Sequence, residues 1–165
     1  MFELLVALAS IGAALSEAQV WHSDYASAQE KAIQSHKPLA VVFGSGKHGW
    51  RKLSRDGDAE GQIARRFASE YVCLYVDIST ESGSKLARSF QIHDDLGIVI
   101  SNRKGDLQAF RHEGELSDAA LNRYLKRFAD PDLQVTTTLT NPGDEERLQP
   151  YPTRPVQPAA NYCPT

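Results

Sequence analysis

Two apolar rhythms alternate along the middle of the chain. After Ser23, a candidate cap, DYASAQEKAIQSH carries Tyr25, Ala28, Ala32 and Ile33 at helical spacing, and Lys37-Pro38 ends it. The run LAVVF, residues 39–43, is short, continuous and Val-rich, which suits a strand buried on both faces. A Gly-rich loop, GSGKHGWRKL, follows it. Beyond Asp56-Gly57 the helical period returns with Ile63, Phe67 and Tyr71 on one face. VCLYVDI, residues 72–78, is a second buried strand, and Ser82–Phe90 a short helix with Leu86 and Phe90 four apart. IVIS, residues 98–101, is a third strand, and Asn102–Gly105 a turn. Leu107, Ala109 and Arg111 then alternate with Gln108, Phe110 and His112, the pattern of an antiparallel edge strand. Ser117 caps a last helix that buries Leu121, Tyr124, Leu125 and Phe128.

Strands separated by helices predict right-handed crossovers and a parallel core, with the final hairpin adding an antiparallel edge. The expected fold class is therefore α/β, a mixed sheet of four to five strands with helices on both faces.

The two ends follow other rules. Residues 1–18 are apolar or small from Leu4 to Leu15 and close on Ser16-Glu17-Ala18. That is the shape of a secretory signal cut before Gln19, although no Lys or Arg precedes the apolar run. An N-terminal core helix or a membrane-surface anchor is the alternative, since the run is too short to cross a bilayer. At the other end, seven of the eight prolines lie between Pro131 and Pro164. Residues 130–165 read as an extended tail, and the Pro152–Pro155 spacing could also suit an aromatic-lined groove. The domain is thus expected over residues 19–129.

A net charge of −3, without a basic run, argues against a nucleic-acid partner. Two cysteines, Cys73 and Cys163, exclude a disulfide-dense scaffold, a Cys-x-x-Cys pair and a multi-cysteine zinc site. Cys73 reads as a strand hydrophobe and Cys163 as an exposed tail thiol; a bond between them would require burial of the tail.

Trp21, Tyr25, Ala28, Ala32, Lys37 and Pro38, followed by the strand 39–43, resemble the opening of secreted or periplasmic domains of the thioredoxin-like superfamily. Phe43 to Leu53 matches, without a gap, the segment where that family carries its dithiol. The resemblance places His48 on the nucleophilic cysteine and Arg51 on the resolving cysteine, with Gly49 and Trp50 between them and Lys52 and Leu53 after them. It covers about residues 20–129. It implies a thioredoxin-like sheet, and it implies that both redox thiols are gone. The family's cis-proline, which would stand about two residues before Ile98, is missing from His93-Asp94-Asp95-Leu96-Gly97. Imidazole and guanidinium cannot perform thiol–disulfide exchange.

The resemblance brings His48 and the 93–95 segment to one end of the sheet, where open α/β sheets take ligands. Trp50, Lys52, His93, Asp94 and Asp95 are accordingly the binding candidates. Trp50 is either an exposed anchor for a partner or a side chain folded back on the core. Arg51 and Lys52 could hold an anion, with Gly44, Gly46 and Gly49 baring backbone N–H groups. Two readings remain. One is a redox-inactive, exported binding or scaffolding domain with a protein partner, no cofactor, no metal and no membrane contact beyond an uncleaved N-terminal segment. The other is a metal- or His-dependent enzyme using His48 and His93.

Overall fold

All six residues of Leu39–Gly44 are buried, and this strand sits at the centre of the sheet. The computed structural model describes residues 21–57 and 61–140. The elements are β1 (Trp21–His22), α1 (Tyr25–Ser35), β2 (Leu39–Gly44), a 3₁₀ turn (Gly49–Leu53), α2 (Gln62–Glu70), β3 (Val72–Asp77), α3 (Glu81–Ser89), β4 (Gly97–Ser101), β5 (Gln108–Glu113) and α4 (Asp118–Phe128). The strand order is β1-β3-β2-β4-β5.

Alternation along β2 divides the core into two layers. Ala40 and Val42 join Ile63, Phe67, Leu121, Tyr124 and Leu125, under α2 and α4. Leu39, Val41 and Phe43 join Ala28, Ala32 and Ala87, under α1 and α3. The expected buried face of α4, from Leu121 to Phe128, is the one observed. On α1 the expectation is corrected twice. Asp24, not Ser23, is the cap, accepting the Ser27 N–H at 2.8 Å. Ile33 is 46% exposed while Ala28 and Ala32 are buried. One residue past Ala32 turns the side chain about 100° away from the sheet, where Ile33 lies against Gly105 instead.

β2 runs parallel to β3, and β1 parallel to β3, as the crossovers predict. β4 does not follow: it is antiparallel to β2, with Val41 opposite Val99. Phe43 pairs both with Val76, near the end of β3, and with Gly97, the start of β4. The chain therefore leaves β3 and re-enters at β4 from one end of the sheet, so α3 makes no full crossover.

The domain also extends past residue 129. Arg111 N–H donates to the Leu139 carbonyl at 2.9 Å, and Leu139 N–H to the Ala109 carbonyl at 3.0 Å. Thr138 Oγ1 donates to the Gln108 carbonyl at 2.7 Å. Residues 138–140 thus cover the outer edge of β5, running parallel to it, and Leu139 is buried. Leu133 and Val135 pack on the core behind them. The loose tail expected from residue 130 is corrected over this stretch: three backbone and side-chain bonds and one buried leucine hold it. The expectations for residues 1–18 and 141–165, Cys163 and the Pro152–Pro155 spacing included, lie outside the described residues.

Candidate functional site

The loop after β2 is held from β3. Tyr75 hydroxyl donates to the Gly46 carbonyl. Asp77 Oδ1 accepts the Gly46 N–H at 3.0 Å, together with the Ser79 N–H at 3.0 Å and the Ser79 hydroxyl at 2.6 Å. The Ser79 hydroxyl and then the Gly46 N–H hold the Asp77 carboxyl below its ordinary range. Burial, and secondarily the Asp77 charge, push the Tyr75 phenol up. Ile78 N–H donates to the Gly44 carbonyl at 3.0 Å. Gly49 is buried against the Gly44 backbone, and a Cβ there would collide with the Tyr75 hydroxyl. This close approach is why the loop carries glycine at 49.

The same bonds decide the anion-nest expectation. The Gly46 N–H is taken by Asp77 and the Gly49 N–H by the Gly46 carbonyl at 3.2 Å. These amides close the loop on itself and do not face outward, so a backbone nest is not built here.

His48 precedes the 3₁₀ turn, and its carbonyl accepts the Arg51 N–H at 3.1 Å. His48, Arg51 and Lys52 are exposed. Trp50 is half-buried: its ring packs against Trp21, tilted by 39° with 5.4 Å between centroids, and the Arg51 guanidinium lies 5.5 Å from the ring centre. Trp21 continues inward to Phe67 at 5.8 Å and Tyr75 at 6.2 Å. Trp50 therefore rests on the core through Trp21 while remaining partly exposed, between the two placements expected of it.

The segment His93–Asp95 lies at the same end of the sheet, since Gly97 pairs with Phe43. All three residues are exposed. His93 and Asp94 are tied to Glu113, whose Oε2 accepts the His93 N–H at 2.9 Å and the Asp94 N–H at 3.2 Å. His93 Nδ1 stands 3.7 Å from Glu113 Oε1. The His93 N–H in the first place, with the Asp94 N–H, holds the Glu113 carboxyl below its ordinary range, while partial burial opposes this. No described hydrogen bond or ion pair joins His48 to His93, Asp94 or Asp95. Among the described residues no group of three or more His, Cys, Asp or Glu side chains could hold a metal ion. Cys73, on β3, is buried, and its Sγ donates to the Phe67 carbonyl at 3.5 Å.

Tyr75, Asp77 and Glu113 are the residues that sequence reasoning missed. Each looks like an ordinary strand position, and only the register shows which loop it meets.

The fold has a known counterpart. A thioredoxin from Thermus thermophilus superposes with a TM-score of 0.55, at 18% identity, over 66% of this chain and 85% of its own. The fold is thioredoxin-like. A DsbH oxidoreductase aligns at 19% identity over 76% of this chain and 93% of its own, with a TM-score of 0.48. No family model matches the chain. No curated protein matches it in sequence. Within the thioredoxin-like fold, the loop 45–53 leaves the end of the central strand, and the 93–96 segment enters the neighbouring strand beside it.

Proposed function

We propose that this chain is a redox-inactive thioredoxin-like binding module, exported from the cytoplasm, whose partner is a protein. The observation that carries the reading is the loop 45–53. His48 and Arg51 stand at its turn, where the resemblance would put two cysteines, and neither side chain can form or break a disulfide. Its backbone is nonetheless braced by Tyr75 and Asp77. A braced loop that presents a half-buried tryptophan beside exposed cations suits recognition, because an aromatic anchor on a rigid support loses little entropy on binding. The apolar segment Leu4–Leu15 before Ser16-Glu17-Ala18 supports export, with cleavage before Gln19.

Two measurements test this. Purified protein with dithiothreitol should reduce a disulfide substrate no faster than dithiothreitol alone; turnover above that background would sink the redox-inactive reading. A photo-crosslinking residue in place of Lys52 should trap a defined protein in the native host, and Trp50→Ala should abolish the adduct. Adducts that survive Trp50→Ala would remove Trp50 from the binding face.

A further inference from the structure

The outer edge of β3 is only partly covered. Val72 N–H donates to the Pro38 carbonyl at 3.1 Å and Ile78 N–H to the Gly44 carbonyl at 3.0 Å, so the even-numbered residues of this stretch turn their backbone groups to β2. In a parallel ladder alternate residues face opposite neighbours. Cys73, Tyr75 and Asp77 therefore face the side that β1 occupies. There Trp21 lies opposite Cys73 and His22 opposite Leu74, and β1 ends. The chain bends at Ser23 and leaves the sheet, and the Asp24 carbonyl turns to the Ala28 N–H at 3.1 Å as α1 begins. Past Leu74, no described strand flanks this edge.

What stays open is one rung. The Asp77 carbonyl already accepts the Thr80 N–H at 3.2 Å and the Thr80 hydroxyl at 2.8 Å, and a Cβ on Gly83 of α3 would collide with it. The pairing of His22 with Leu74 uses the Tyr75 N–H. The Tyr75 carbonyl and the Asp77 N–H have no partner among the described residues. These two groups flank Val76, and one residue of a parallel strand satisfies both with its own N–H and C=O. An antiparallel strand would need both backbone groups of Tyr75 or of Asp77, and each residue has one engaged.

A groove of about 550 Å³ opens beside this rung. Leu74, Val76 and Leu86 supply its apolar lining, Asp24 and Asp77 line it too, and none of its lining residues is basic. Hydrogen bonds from Ser27 to Asp24, and from Ser79 and then Gly46 to Asp77, hold both carboxyls below their ordinary range, so both carry charge.

We propose that this edge takes an extended segment of a partner protein as one added parallel rung, with an apolar side chain opposite Val76 in the groove and a lysine or arginine next in sequence, level with Asp77. The inference goes beyond the reading of the loop as a binding face. The groove is a separate surface from the turn that presents Trp50, and either can fail without the other.

The test is a titration of ¹⁵N-labelled full-length protein with the peptide acetyl-Thr-Val-Lys-Thr-amide. The Asp77 amide should shift saturably and exchange more slowly. N-methylation of the peptide's valine removes the N–H that meets the Tyr75 carbonyl, and should weaken binding roughly tenfold. Glutamate in place of the peptide's lysine should weaken it by about two- to fivefold. Shifts that leave Asp77 untouched, or an N-methylated peptide that binds as well as its parent, would overturn the proposal. So would an Asp77 N–H already protected without peptide. Protection that grows with protein concentration would put a second copy on the edge, and constant protection would put this chain's own residues there.

Discussion

The Tyr75 hydroxyl on β3 donates to the Gly46 carbonyl in the loop after β2. Two residues along the same strand, Asp77 accepts the Gly46 N–H. One peptide unit on either side of Gly46 is therefore gripped by alternate residues of a neighbouring strand. Parallel pairing brings this about: Phe43 lies opposite Val76 and Gly44 opposite Asp77, so the loop emerges beside the end of β3. Gly46 itself has φ +77, a left-handed turn suited to glycine.

Tyr75→Phe should loosen this loop without unfolding the domain. The Gly46 carbonyl keeps the Gly49 N–H as a donor, so no acceptor is orphaned. The expected loss is about 1 kcal/mol, the usual net value of one hydrogen bond. Hydrogen exchange at Gly46 and Gly49 should accelerate more than exchange in β2. Uniform acceleration across the sheet would mean that Tyr75 braces the core and not the loop.

His48→Cys with Arg51→Cys should yield a disulfide. The Arg51 N–H to His48 carbonyl bond closes a four-residue turn, which brings the two Cα atoms within about 7 Å, inside the range a disulfide spans. Mild oxidant should remove two free thiols, read by mass after alkylation. If the double variant stays folded and keeps both thiols, the match of this loop to the family's dithiol segment fails.

Glu113→Gln should destabilise the protein in a pH-dependent way. The His93 and Asp94 N–H groups favour the charged carboxylate, so its folded pKa lies below the ordinary 4.5. The unfolded chain binds the proton first as pH falls. The charge-dependent stability is thus present above 4.5 and is lost as pH drops through the lower, folded value. Urea midpoints of wild type and variant should differ at neutral pH and converge in acid. A gap that persists in acid would assign the effect to packing.

Much of this architecture is written in apolar spacing. The period of 3.6 marks Leu121, Tyr124, Leu125 and Phe128, and unbroken runs mark β2 and β3, because burial on one or both faces demands those patterns. Strand direction is not so written: Gly97–Ser101 would look the same parallel or antiparallel, and only the route of α3 decides. The placement of His48 and His93 at one end of the sheet was legible through the family resemblance. Their separate anchoring was not, because Tyr75, Asp77 and Glu113 act across the register and not along the sequence. The strap was hidden for another reason. Thr136, Thr137 and Thr138 beside a lone Leu139 carry no period, and Pro131 reads as a break.

That strap gives the last prediction. Leu139 is buried over β5, and its backbone bonds occupy the Ala109 carbonyl and the Arg111 N–H. Leu139→Ala should cost about 2–4 kcal/mol if the site cannot collapse, less if the strap resettles. Limited proteolysis should leave a core that ends beyond Leu139, since a protease needs an extended, unbonded segment. In Leu139→Ala the boundary should retreat toward Pro131, because the strap loses its buried side chain and keeps the partly buried Leu133 and Val135 as its apolar contacts. The uncovered β5 edge would then present unpaired backbone groups, and the variant should self-associate with rising concentration. Sedimentation of both proteins separates the outcomes. A wild-type core ending near residue 130, with Leu139→Ala as stable as wild type, would show that the strap contributes nothing to the fold.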